Sequence, residues 1–226
     1  MLSFTRVGSL LLLSLAVIGT TTAIVSRPSQ AWADVIEGTE GPDFIVGTLG
    51  DDLIDSKGGN DENYGDTLIG DGSGNDVITS GDGGDVNFGD TETGAGSGND
   101  VITSGGGDDF NFGDTETGAG SGNDVITSGD GGDVNFGDSL EGAGSGNDVI
   151  ISGEGDDLNH GDTQFGAGSG NDVIISGEGD DENNGDSLEG DGSGGADIFV
   201  CGGGEDTVTD YNEAEGDIAT PDCENI

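Results

Sequence analysis

The stretch GSGNDVITSGDGGDVNFGDTETGA occupies residues 72–95, and residue 96 opens the same phrase again with GSGNDVITSG. Aligned on its first aspartate, the unit recurs at Asp52, Asp76, Asp100, Asp124, Asp148 and Asp172, each 24 residues after the last. A second column, Asp61, Asp85, Asp109, Asp133, Asp157 and Asp181, keeps that period, as does a third, Asp66, Asp90, Asp114, Asp138, Asp162 and Asp186. With 50 glycines, 30% hydrophobic residues and a net charge of −45, composition by itself would indicate a disordered chain. Three columns held in frame over six units exclude that reading and point to stacked coils.

The first 33 of the 226 residues differ from the rest. Arg6, the apolar run VGSLLLLSLAVI over residues 7–18 and the Ala31-Trp32-Ala33 triplet match a secretory leader cleaved near Ala33. The run is too short to cross a bilayer comfortably, and Val7 to Val25 holds too many Ser, Thr and Gly residues to be a strong membrane span. All 48 acidic residues follow it, and Lys57 is the one cation beyond residue 33. That surface repels nucleic acid and anionic lipid and attracts metal ions or basic partners. The expected organisation is a leader over 1–33, repeats over 34–193 and a C-terminal capping segment over 194–226.

Each 24-residue unit divides into two nonapeptides, GSGNDVITS and GDGGDVNFG, and a six-residue tail, DTETGA. Upstream, GTEGPDFIV and GTLGDDLID are plain nonapeptides that place Asp43 nine residues before Asp52. G-x-G-x-D supplies a glycine turn, and V-I-T supplies a short β-branched strand. Turn plus strand, twice per coil, predicts an all-β chain: a right-handed parallel β-roll, or β-solenoid, of about seven coils and on the order of 30 Å long.

These residues resemble the calcium-binding RTX, or hemolysin-type, repeat, whose pattern G-G-x-G-x-D-x-U-x recurs from about Gly38 to Val208. The resemblance implies calcium shared between turn aspartates of successive coils on each edge. The ligands it implies are Asp43, Asp52, Asp61, Asp76, Asp85, Asp100, Asp109, Asp124, Asp133, Asp148, Asp157, Asp172, Asp181, Asp197 and Asp206. Charge leads to the same cation independently. Carboxylates stacked about 4.8 Å apart repel by roughly 1 kcal/mol in water and about 3.5 kcal/mol at an effective dielectric of 20. A hard divalent ion reverses that sign, and calcium tolerates six to eight oxygen ligands at flexible geometry. Zinc and copper prefer nitrogen or sulfur, of which the chain offers one His and two Cys. The third aspartate column has no counterpart in the nonapeptide, and two roles stay open for it, additional ligand or cap of the inserted loop.

Ile54, Ile78, Ile102, Ile126, Ile150 and Ile174 occupy the inward U position of one half-coil. Asn63, Asn87, Asn111, Asn135, Asn159 and Asn183 occupy it in the other. Either the Asn column faces inward as a hydrogen-bonded ladder, or the strand is flipped so that Val86 and Phe88 pack and Asn meets water. His160 replaces a Phe of the repeat and reads as a drifted surface residue. After Asp191 the register changes, and GADIFVCGGGEDTVTDYNEAEGD resembles the closing segment of RTX arrays, with Cys201 and Cys223 expected to form a disulfide.

Repeat and cap leave no length for a catalytic domain, so the expectation is an exported calcium-binding protein without enzymatic activity, secreted or at the cell surface. Two alternative roles accompany it. One is an adhesin module for a surface glycan. The other is calcium-dependent ice binding through Ser73, Asn75 and their equivalents, against which stands the missing methyl of Ser.

Overall fold

A computed structural model of the chain describes residues 22–25, 33–187 and 194–226. Two parallel sheets of nine strands each form the faces of a solenoid, and the described residues contain no helix. Six-residue strands dominate one face: Val77–Asp82, Val101–Gly106, Val125–Asp130, Val149–Glu154, Val173–Glu178 and Ile198–Gly203. Three-residue strands such as Val86–Phe88, Phe110–Phe112 and Val134–Phe136 make the other. Register follows the 24-residue period throughout the central coils: Ile78 pairs with Ile102 and Ile102 with Ile126, while Asn87 pairs with Asn111 and Asn111 with Asn135. The chain is an all-β parallel solenoid of the expected repeat length.

Between the two faces lies a thin, mixed core. The six isoleucines from Ile54 to Ile174 are at most 1% exposed and stack in one column. Two residues further along each strand, alternation turns Ser80 and its equivalents inward as well. They meet the Asn column from the opposite face, so the Asn residues point inward. Asn87 Nδ2 donates to Ser80 Oγ at 3.0 Å and to Asn111 Oδ1 at 2.9 Å, and the pattern repeats at each coil. A buried amide is tolerated here because its donors and acceptor are satisfied by the coils beside it. Replacing Asn135 by Ala removes partners from Asn111 Nδ2, Asn159 Oδ1 and Ser128 Oγ together. The expected loss is about 2–4 kcal/mol of stability, read from urea midpoints at fixed calcium.

The six-residue tail does more than lengthen the coil. In four consecutive coils it forms a third sheet, Thr91–Thr93, Thr115–Thr117, Ser139–Glu141 and Thr163–Phe165. Two strands per coil thus become three. The outer side of the Asn strands is not left to solvent: Tyr64, Phe88, Phe112 and Phe136 stack there, with Leu68 and Leu140 of the tails packed against them. Successive ring centroids lie 4.8–5.2 Å apart with planes within 7°, because the coil spacing imposes the ring spacing. His160 ends this stack 4.9 Å from Phe136 and is fully buried, which corrects the surface assignment. Burial pushes its imidazole down to about 4, so it stacks as a neutral aromatic ring.

At the C-terminal end Phe199 continues the Ile column and Cys201 the Ser column, while Val208 pairs opposite Asn183. Cys201 and Cys223 form a disulfide with Cα atoms 5.2 Å apart, tying the last strands together. At the other end Thr22–Val25 pairs in parallel with Asp43–Val46. The rest of the leader reading, and residues 188–193 where the register changes, lie outside the described residues. No helix among the described residues is long and apolar enough to cross a membrane.

Candidate metal centre

All fifteen aspartates singled out from the sequence are buried, none more than 3% exposed. The fold sorts them onto two edges. On the edge that carries the tails, the backbone N–H of each aspartate donates to Oδ1 of the next: Asp52 to Asp76 at 2.6 Å, Asp76 to Asp100 at 2.7 Å, Asp100 to Asp124 at 2.7 Å, onward through Asp148 and Asp172 to Asp197. On the opposite edge the same bond links Asp43, Asp61, Asp85, Asp109, Asp133, Asp157, Asp181 and Asp206 at 2.8–3.0 Å. One carboxylate oxygen of each is thereby oriented. From Asp61 to Asp206 the other, Oδ2, is buried without a hydrogen-bond partner in both columns.

Thirteen orphaned oxygens in two files are costly unless something electropositive meets them. The surroundings leave room for it. A Cβ at Gly113 would lie 2.5 Å from Asp124 Oδ2 and overlap the Gly137 carbonyl, and Gly137 and Gly161 stand in the same relation to Asp148 and Asp172. Glycine at this corner lets backbone and carboxylate approach as no other residue could. The donor set is entirely oxygen, from hard carboxylates beside glycine backbone. It fits calcium, which would be held between successive coils and would supply the positive charge that lets the stacked carboxylates ionise.

The third column, read from sequence with two open roles, lies inside the tail edge. Asp66, Asp90, Asp114, Asp138 and Asp162 are fully buried. They interleave with the first column in groups of three: Asp66, Asp76 and Asp90, then Asp90, Asp100 and Asp114, and so along the rod, with ligand oxygens within 4.8 Å of one another.

Electrostatics separate the two edges. On the tail edge, burial and then neighbouring carboxylates push Asp76 up to about 8 and Asp100 to about 9. Asp148 is raised to about 8 and Asp172 to about 9. Opposite, Asp109 and Asp181 reach only about 6 and Asp157 about 7, again chiefly through burial. Deeper burial of the tail edge is the main cause of the difference, and repulsion from the third column, as of Asp90 on Asp100, adds to it.

Several members of the files escape the 24-residue frame. Asp34 donates its N–H to Asp52 at 2.5 Å, Asp197 to Asp217 at 3.0 Å, and Asp206 to Glu224 Oε2 at 3.1 Å. Separations of 18, 20 and 18 residues concealed them, although the first is two plain nonapeptides.

Comparison with protein families gives four copies of the RTX calcium-binding nonapeptide repeat, at residues 33–62, 95–115, 143–164 and 167–187. No curated protein and no solved structure matches the chain. Parallel coils built on glycine turns, with a buried aspartate at each turn, define a calcium-binding repeat solenoid. The four repeats and the parallel solenoid fit an RTX-type β-roll.

Proposed function

We propose that this chain is an exported calcium-dependent rod: a non-catalytic structural or binding protein that folds when it meets extracellular calcium, binding several ions. The observation that carries the calcium reading is the double file of buried, partnerless Oδ2 atoms, one per coil on each edge. Support for export comes from the leader-like composition of the first 33 residues and from a disulfide, a bond that persists in oxidising compartments. Calcium titration by calorimetry, against magnesium in parallel, tests binding. Multiple calcium ions bound with magnesium unable to displace them is the expected result, and absence of calcium binding at millimolar concentration would overturn the proposal. Fractionation of expressing cells tests export separately.

A second reading, ice binding, has one observation in its favour. Asn75, Asn99, Asn123, Asn147 and Asn171 form an exposed ladder in which the side-chain amides from Asn99 on each donate to the Asn before at 2.9–3.2 Å, and that of Asn75 to Asp51. This gives a regular polar row at the coil spacing. Thermal hysteresis measured in calcium checks it.

A further inference from the structure

The tail edge carries two columns of buried aspartates where the opposite edge carries one. Asp90 and its equivalents fill the corner where the third sheet joins, and Gly72, Gly96, Gly120 and Gly144 close that corner without side chains. A Cβ at Gly96 would lie 2.9 Å from both Asp114 Oδ1 and Asp90 Oδ2. Asp114 and Asp162 are fully buried, and neither oxygen of either carboxylate has a hydrogen-bond partner. Asp66 and Asp90 each accept a loop N–H at Oδ2, from Ser73 and Ser97, and keep Oδ1 buried without a partner, so the column caps the loop and still holds unpartnered oxygens. Here they point into groups of three carboxylates whose oxygens fall within 4.8 Å, the span across a calcium shell with Ca–O of about 2.4 Å.

We infer that the third column makes this edge a continuous row of divalent-cation sites, one ion per coil. Three carboxylates hold each ion, and each third-column carboxylate bridges two neighbouring ions. Charge supports the count. Every coil brings two buried carboxylates to this edge, one from each column, so one divalent ion per coil leaves the row neutral. The opposite edge brings one buried carboxylate per coil, its further acids such as Asp108 and Asp130 being exposed, so its ions are less fully neutralised and bind more weakly. The inference rests on the calcium reading above and deepens it: the two edges are distinct classes of site, and the six-residue tail is what creates the tighter one.

Equilibrium dialysis with metal analysis tests this on the full chain. Asp114 belongs to two of the carboxylate groups, Asp90/Asp100/Asp114 and Asp114/Asp124/Asp138. Asp114→Asn is therefore expected to weaken two ions by about tenfold or more, since affinity follows ligand charge. Asp66→Asn, at the end of the row, is expected to weaken fewer ions, and Asp130→Asn, an exposed acid, none. Ion number and affinities in Asp114→Asn equal to wild type would overturn the inference while leaving calcium binding intact. Should Asp114→Asn fail to fold in calcium, Asp66→Asn decides by the same criterion. A wild-type chain that binds no calcium overturns both readings.

Discussion

Calcium added at neutral pH to the chelator-treated chain converts an extended coil into a rod, with a rise in β-sheet circular dichroism and a fall in radius of gyration from about 50 Å. The expectation follows from the terms on each side. A coil buries one Ile, worth about 2–3 kcal/mol, and one stacked ring between its faces and tails. Against that stands the ordering of 24 residues at about 1 kcal/mol or more each. Hydrogen bonding between coils offsets part of the ordering cost but leaves the carboxylates uncompensated. Each neighbouring pair adds a repulsion of about 3.5 kcal/mol at an effective dielectric of 20. Ion binding changes the sign of that contribution in every coil at once, so binding and folding are one process. A calcium-free chain with full β signal, unchanged on adding calcium, would sink the idea.

Acid is expected to substitute for calcium. In the calcium-free fold the tail-edge carboxyls are held far above their ordinary values, Asp76 and Asp148 at about 8 and Asp100 and Asp172 at about 9, by burial first and mutual repulsion second. A carboxyl whose folded value is raised leaves stability intact below its unfolded value, near 3.9. That stability is then lost as pH rises toward the folded value, because the unfolded chain sheds its proton first. Decalcified protein should therefore gain β structure as pH falls from 8 to about 4, most of the change coming below 7. With calcium present the sign reverses over the same interval, since protons displace the ion. Circular dichroism in chelating-resin-treated buffer with and without calcium gives the two curves, and a calcium-free chain that stays unstructured at pH 4 would contradict the account.

Much of this was legible in the sequence because the repeat is strict. The Ile column, both edge files and the disulfide follow from spacing and residue type, since a fixed period allows one stacking register. The Asn column did not follow, because its burial is decided between coils: hydropathy assigns Asn87 to water, yet Asn111 and Ser80 satisfy it within. His160 misled for the same reason, since its place is set by Phe136 stacked below it. The tail reads as an insertion along the chain, and only in three dimensions does it form a sheet and bring Asp90 to Asp100 and Asp114. Asp217 and Glu224 escaped because the last coil is shorter than its predecessors.

The bond from each aspartate N–H to the carboxylate one coil later has a direction. Asp100 is aimed by Asp76 and aims Asp124 in turn, so each finished coil prepares the ligand of its successor and receives nothing equivalent from it. A chain that emerges N-terminus first can therefore assemble coil by coil, each captured ion locking the coils already formed. Coils interact with nearest neighbours alone, so adding or deleting a whole 24-residue unit would alter the reach of the rod and its ion capacity in proportion, and disturb no contact elsewhere.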